Sequence, residues 1–130
     1  MMKKLEDTGI VLARLLMAIL FIVAGWGKLT NYEGTQHFMA SMGIPALFVP
    51  LTVLLEFGGG LAIVLGFFTR TTALITAVFT ILTAILAHSN FAVDGATMFM
   101  KNVSIAGGFL LLAIIGPGAL SIDRLLGKKW

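Results

Sequence analysis

The chain has 130 residues, of which 58% are hydrophobic and only 12% are charged, and its mean hydropathy is +1.02. Soluble domains carry about 25% charged residues, so this composition indicates one integral membrane domain over residues 1–130, and the few basic residues, clustered near the ends, exclude a nucleic-acid partner. The absence of cysteine excludes disulfides, thiolate nucleophiles and thiolate-bound metal clusters, so any redox chemistry must use a borrowed cofactor.

Four apolar segments of spanning length follow one another, and they predict an all-α, integral membrane four-helix bundle. We expect helices over about residues 9–29, 46–68, 71–88 and 102–120. Lysines precede the first segment as in a signal peptide, but Arg14 interrupts the apolar stretch and no small-residue cleavage site follows. The first segment is therefore expected to remain as a transmembrane helix in the lipid bilayer.

The basic residues predict the orientation of the bundle. Those on the side of the two termini are Lys3, Lys4, Arg70, Arg124, Lys128 and Lys129. The opposite side keeps only Lys28 and Lys101, together with acidic residues. Because cytoplasmic loops are enriched in lysine and arginine, both termini are predicted to be cytoplasmic.

The loop over residues 31–43 fits two descriptions. Phe38, Met39 and Met42 recur at helical spacing before Pro45, as in a short amphipathic helix on the membrane surface. An irregular loop fits equally well, because the stretch is too short for its periodicity to decide.

Small and hydroxyl residues predict how the helices pack. Gly58 to Gly60 and Gly107–Gly108 are expected where helices approach most closely, and such faces also suit a homodimer. The threonines at positions 72, 76, 80 and 83 form a stripe that favours helix packing and bonding to backbone carbonyls over a proton path. Gly116-Pro117-Gly118 should break the last helix, and the tail after it, with Trp130 as an anchor, is expected to serve topology only.

Glu56 is the residue that the bundle must accommodate, because an ionised carboxylate in the membrane costs at least a few kcal/mol unless it is paired or protonated. In the first helix, Arg14, Ala18, Phe21, Gly25 and Lys28 form one stripe that should face the bundle. Counting residues from the expected helix ends places Arg14 nearer than Lys28 to the depth of Glu56. The sequence therefore predicts an ion pair between Arg14 and Glu56, with a role that is either structural or catalytic.

A second polar group is predicted at the outer face of the bundle. Lys28 ends the first helix, His88 ends the third, and Lys101 with Asn102 opens the fourth. Hydrogen-bond donors around an apolar mouth suit a quinone carbonyl or a small oxyanion. Lysines that simply extend to the headgroup layer explain the same pattern, and no third residue is spaced to form a metal site with the histidines His37 and His88.

These motifs, in this order, resemble the DoxX family of small four-helix membrane proteins. The resemblance extends over nearly the whole chain, and its polar positions are Arg14, Lys28, Glu56, His88, Lys101 and Asn102. It implies a bacterial inner-membrane location, and members are often labelled oxidoreductases or linked to quinone and oxidative stress. With no cysteine in the chain, a membrane quinone is the most compatible electron carrier.

Three functional hypotheses follow. The first is a quinone-linked oxidoreductase, or a membrane subunit of one, in which Glu56 and His88 act as catalytic groups and Lys28, His88, Lys101 and Asn102 hold the quinone. The second is a non-enzymatic membrane component that anchors a protein partner. The third is a small proton-coupled transporter, which is disfavoured because Arg14 should neutralise Glu56.

Overall fold

The computed structural model describes residues 2–87 and 91–127, and in these ranges it contains helices but no strands. The first helix, α1, covers Met2–Thr30, and a short α2 covers Tyr32–Ser41. The second apolar segment consists of α3 (Phe48–Val53), a π-helical turn (Leu54–Gly58) and α4 (Gly59–Leu65). The remaining helices are α5 (Thr69–Ala87), α6 (Phe91–Ile115) and the short α7 (Ile122–Leu126).

Four stretches are long and apolar enough to cross a membrane, which confirms the predicted all-α membrane architecture. They are Met2–Thr30, Phe48–Leu65, Thr69–Leu86 and Ala96–Ile115. The first packs along the second and the third along the fourth, so the fold consists of two helical hairpins. The cytoplasmic placement of the termini stays a prediction.

The core between the hairpins is small. Phe21 of α1 and Phe109 of α6 meet edge to face with ring centroids 5.2 Å apart, beside Ile63 of α4 and the alanines of α5. Most large apolar side chains instead point outward, as the leucines of α1 do. A fold with so little apolar surface inside and so much outside fits a lipid environment.

Several helix ends differ from the expected ones. α1 begins at Met2 and not near residue 9, because the polar residues before the apolar stretch are compatible with a helix and simply project beyond it. The second span stops at Leu65, where Gly66 takes a left-handed φ of 71°. α6 begins at Phe91, well before the expected residue 102, and it ends at Ile115 because Gly116 takes a φ of 88°.

The structure decides between the two descriptions of the first loop and confirms the predicted bonding of the threonine stripe. Residues 32–41 of the first loop form α2, a helix and not an irregular loop. In the threonine stripe, Thr80 donates to the carbonyl oxygen of Thr76 at 2.7 Å, and Thr83 donates to that of Phe79 at 2.9 Å. These hydroxyls are therefore bonded within their own helix.

The predicted role of the glycines is correct for Gly60 of the second span and wrong for Gly107 of α6, while Gly108 makes an ordinary contact with Met17 of α1. A Cβ on Gly60 would lie 2.7 Å from Ile22, while one on Gly25 of α1 would lie 2.6 Å from the backbone nitrogen of Phe57. Gly107 has no neighbour within 4 Å of such an atom. The close backbone approach therefore occurs between α1 and the second span.

The tail does more than serve topology, contrary to the prediction. Asp123 is 1% exposed, and its carboxylate accepts from the backbone N–H groups of Phe68 (2.6 Å) and Thr69 (2.8 Å). Its own N–H donates to the carbonyl oxygen of Gly66 at 2.8 Å. Asp123 thus caps the start of α5 from a distant part of the chain.

Arg70 caps the end of the neighbouring helix, α6, by donating hydrogen bonds, whereas Asp123 accepts them. Its guanidinium donates to the carbonyl oxygens of Ala113, Ile114 and Ile115, which are the last residues of α6. A cation at this position also complements the negative end of the helix dipole. Asp123 therefore caps the start of α5, and Arg70 caps the end of α6. We name the end of the bundle that contains these two caps the basic end.

We predict that Gly25→Ala destabilises the protein whereas Gly27→Ala does not. The new methyl group at position 25 collides with the backbone of Phe57, so the helices must separate, at a cost of about 1–3 kcal/mol. Position 27 has no neighbour within 4 Å and serves as the matched control. Thermal unfolding in detergent measures both changes, and equal midpoints for the two variants would contradict the helix register described here.

Candidate functional site

The membrane carboxylate of Glu56 forms an ion pair with Lys28. The Lys28 Nζ atom lies 2.6 Å from Oε1 and donates to Oε2 at 3.0 Å. The Glu56 side chain is 7% exposed and that of Lys28 is 33% exposed, so the pair has one buried and one accessible partner. It is the one ion pair among the residues that the structure describes.

The register of α1 against the second span brings these two residues together. Gly25 packs on the backbone of Phe57, and Lys28 lies about one turn further along the same face of α1. Lys28 therefore extends over Glu56, the chain neighbour of Phe57. Because the stem of lysine is long and flexible, its ammonium group reaches the carboxylate from near the helix end.

The predicted ion pair between Arg14 and Glu56 is wrong. Arg14 lies about 21 Å from Lys28 along α1 and belongs to the basic end. Its guanidinium donates to the carbonyl oxygens of Pro117 (2.7 Å), Leu120 (2.9 Å) and Val64 (3.4 Å). Depth counting failed because it ignored the glycine contacts that set the helix register, and because free carbonyls after α6 offered the guanidinium other acceptors.

The predicted outer rim of donors is only partly assembled. Asn102 is buried and donates to the carbonyl oxygen of Thr80 at 3.4 Å, so it ties α6 to α5. Lys101 is exposed on a neighbouring face of the same helix. Both lie in the middle of α6 and do not open it, contrary to the prediction, since α6 begins at Phe91.

The histidines contribute nothing to this geometry within the described ranges. His88 lies outside the described residues, so its predicted role stays a prediction. His37 is exposed on α2. Within residues 2–87 and 91–127, no three side chains of the metal-binding types converge as a metal site.

An apolar cleft of about 270 Å³ is lined by residues of α1, α2 and the second span, and we name it the Tyr32 cleft. Its lining includes Leu29 and Phe57, the chain neighbours of Lys28 and Glu56. The other lining residues are Tyr32, Pro50, Val53, Leu54 and Gly58. The cleft is therefore walled by aliphatic and aromatic groups, with a single phenol as its polar side chain.

The floor of this cleft is the π-helical turn, Leu54–Gly58. Such turns insert one residue into a helix and occur frequently at functional sites, because they redirect side chains and loosen the backbone bonding. Here the turn carries Glu56 toward Lys28 and Phe57 toward Trp26, whose ring centroid lies 5.9 Å from that of Phe57. The charge pair and the aromatic wall thus depend on one local distortion.

Chemically, this region offers an apolar cleft of about 270 Å³ and, on the chain neighbours of two of its lining residues, a charge pair. Lys28 donates and Glu56 accepts, and the partial exposure of Lys28 connects the pair to water. Sequence reasoning missed Tyr32, which is the chain's single tyrosine and lies in a segment that was interpreted only as a helix or loop. A signal was available, because an aromatic residue directly after a membrane helix is typical of an interface.

Comparison with known proteins agrees with the fold. The family model described as DoxX matches residues 9–89. The chain is 68% identical to Inner membrane protein YqjF of Escherichia coli, over 99% of this chain and all of that protein. It is 42% identical to Inner membrane protein YphA of the same organism, over 88% of each chain. It is 31% identical to "Putative oxidoreductase CatD" of Bacillus subtilis over 98% of this chain and 96% of that protein. No solved structure matches the chain. On the family match and these near full-length relatives, the chain belongs to the DoxX family.

Proposed function

We propose that this protein is the quinone-binding membrane component of an oxidoreductase, and that the quinone ring occupies the Tyr32 cleft. The observation that carries the proposal is a buried carboxylate, ion-paired to a lysine that is one-third exposed, whose chain neighbours Leu29 and Phe57 line an apolar cleft. Ion-paired carboxylates in a membrane are costly and mark functional sites. The name of the relative CatD supports a redox role for this chain.

The size and chemistry of the cleft suit the head group of a quinone. Its volume of about 270 Å³ lies just below the roughly 300–1000 Å³ of ligand pockets, so we expect it to accept a ring but not a long tail. An isoprenoid tail can instead lie along the exposed leucines at positions 51 and 54, which face the surroundings of the bundle. In this proposal the phenol of Tyr32, a lining residue of the cleft, donates a hydrogen bond to one quinone carbonyl.

The Lys28–Glu56 pair is proposed as the proton donor of this site. Reduction of a quinone to the quinol takes two electrons and two protons. The electrons come from the redox centre of a protein partner, because a chain without cysteine has no thiol couple to supply them. The protons pass through Lys28, which water reaches, and Glu56, which holds the ammonium in place.

Three other predictions bear on this proposal. His88 follows α5 in the chain, and we keep it as a further candidate acid or base. We propose a bacterial inner-membrane location, in accordance with the names of the two Escherichia coli relatives, with both termini cytoplasmic. A transporter that exchanges protons at Glu56 is disfavoured, because Lys28 holds this carboxylate in an ion pair.

We predict that decylubiquinone quenches the fluorescence of Trp26 saturably. Trp26 lies against Phe57 of the cleft, so a bound ring comes close to it. The measurement uses the Trp130→Phe variant, in which Trp26 is the sole tryptophan. In this background Gly58→Leu fills the cleft and should weaken binding at least tenfold, while Tyr32→Phe, which removes one hydrogen bond, should weaken it about fivefold.

The matched control is Gly107→Leu, which adds the same side chain at a glycine with no neighbour within 4 Å. This variant should bind like the parent. Quenching that does not saturate, or that Gly58→Leu leaves unchanged, would contradict the proposed site and favour a membrane component that anchors a partner without binding quinone.

We further predict that Glu56→Gln keeps quinone binding but abolishes the function of the protein in cells. Glutamine keeps the shape of the side chain and an acceptor for Lys28, but it cannot release a proton. In cells that lack the protein, the native chain should restore growth under menadione stress, whereas Glu56→Gln, present in membranes at the same level, should not. Decylubiquinone binding by this variant should change less than threefold. Full restoration of growth by Glu56→Gln would exclude a proton-transfer role.

A further inference from the structure

A second cavity, of about 520 Å³, lies at the basic end, and its chemistry differs from that of the Tyr32 cleft. Three cationic side chains line it, those of Lys3, Arg70 and Arg124, and they are opposed by one carboxylate, that of Asp7. Its remaining lining is Ile115, Pro117, Gly118 and Ala119. Arg70 also caps α6, but the helix caps and the proposed quinone site give no role to the side chains of Lys3 and Arg124.

The cations come from three separate parts of the chain. Lys3 belongs to the first turn of α1, Arg70 to the first turn of α5, and Arg124 to α7. Lys3 and Arg124 are exposed, and they take part in no ion pair in the part of the chain that the structure describes. Three cations converge here against the single carboxylate of Asp7, so the lining keeps an excess of positive charge, and an anion in the cavity would reduce the repulsion among the cations.

Arg70 is already fixed in position for such an anion. Its NH1 and NH2 groups are held by the carbonyl oxygens of residues 113–115, which leaves its plane rigid at the cavity wall. A guanidinium with part of its donors committed still has further N–H groups for a planar, oxygen-rich ligand. Lys3 and Arg124 add flexible charges around this fixed one.

The surroundings of the cavity favour a lipid as the source of the anion. The cavity lies where the membrane-spanning part of α6 ends at Ile115, which is 52% exposed. Beyond it, Leu120, Leu125 and Leu126 are also exposed, with Leu125 at 85%, whereas Asp123 of the same segment is buried. Apolar residues next to a basic cavity at a helix end are the arrangement that holds an anionic head group and its acyl chains.

We infer that this cavity is a phosphate-binding site for the head group of an anionic phospholipid. Arg70 forms its fixed wall, and Lys3 and Arg124 close over the phosphate. Asp7 lies in the same lining and weakens the site by repulsion. The site is independent of the quinone cleft, since it lies at the other end of α1.

The test measures the thermal unfolding midpoint of the full chain in detergent, titrated with short-chain phosphatidylglycerol, phosphatidylcholine or inorganic pyrophosphate at constant ionic strength. Phosphatidylglycerol should raise the midpoint saturably, and phosphatidylcholine should not. The double variant Lys3→Gln/Arg124→Gln should bind phosphatidylglycerol more than tenfold more weakly, since each cation near an anionic surface contributes about fivefold. Asp7→Asn should bind it more tightly. Arg70 is left intact because it also caps α6.

A charge-matched double variant, Lys4→Gln/Lys101→Gln, removes two exposed lysines that do not line the cavity. It should respond to phosphatidylglycerol like the native chain. An equal loss in both double variants, or an equal response to both lipids, would overturn the inference, because the effect would then be one of overall charge or of detergent exchange. Stabilisation by pyrophosphate as strong as that by phosphatidylglycerol, and lost in Lys3→Gln/Arg124→Gln, would support the phosphate site while assigning it to a soluble anion.

Discussion

The ion pair between Lys28 and Glu56 is the constraint on which the arrangement of α1 and the second span depends. A carboxylate eight residues, about 12 Å, into a membrane span requires a cation, and only a cation on a closely packed neighbour can supply it. The tight contacts at Gly25 and Gly60 provide that packing, and the π-helical turn aims Glu56 at Lys28. The helix register, the π-helical turn and the ion pair therefore depend on one another. The Tyr32 cleft is the space that this packing leaves unfilled.

The charged side chains have different roles at the two ends of the bundle. At the end with Lys28, a buried charge is neutralised and a cleft stays accessible. At the basic end, Asp123, Arg70 and Arg14 satisfy backbone groups that the helix termini leave free. Such capping from distant segments matters in a membrane protein, because water is scarce there and an unbonded backbone group is costly. Lys3 and Arg124 at this end are not among these capping residues, and we infer that their charges bind an anionic lipid.

Sequence patterns predicted what depends on composition and local order. The four spans and the break at Gly116 follow from hydropathy and turn residues, whereas the first loop was too short for its periodicity to distinguish a helix from an irregular loop. The partners of Arg14 and Glu56 could not be predicted, because they depend on how far one helix slides along another, and the contacts at Gly25 and Gly60 that set this register join distant parts of the chain. Asp123 was missed for a related reason, since the N–H groups that it caps lie more than fifty residues earlier in the chain.

The most direct test of this account is a pair of double-mutant cycles on unfolding free energy in detergent. The first combines Glu56→Gln with Lys28→Met, and the second combines Glu56→Gln with Arg14→Met. We expect a coupling of at least about 1 kcal/mol in the first cycle, because each single change leaves a membrane charge without its partner. In the second cycle the changes should add within about 0.5 kcal/mol, since Arg14 bonds only to backbone carbonyls at the basic end. Strong coupling to Arg14 with additivity at Lys28 would contradict the register and the site built on it.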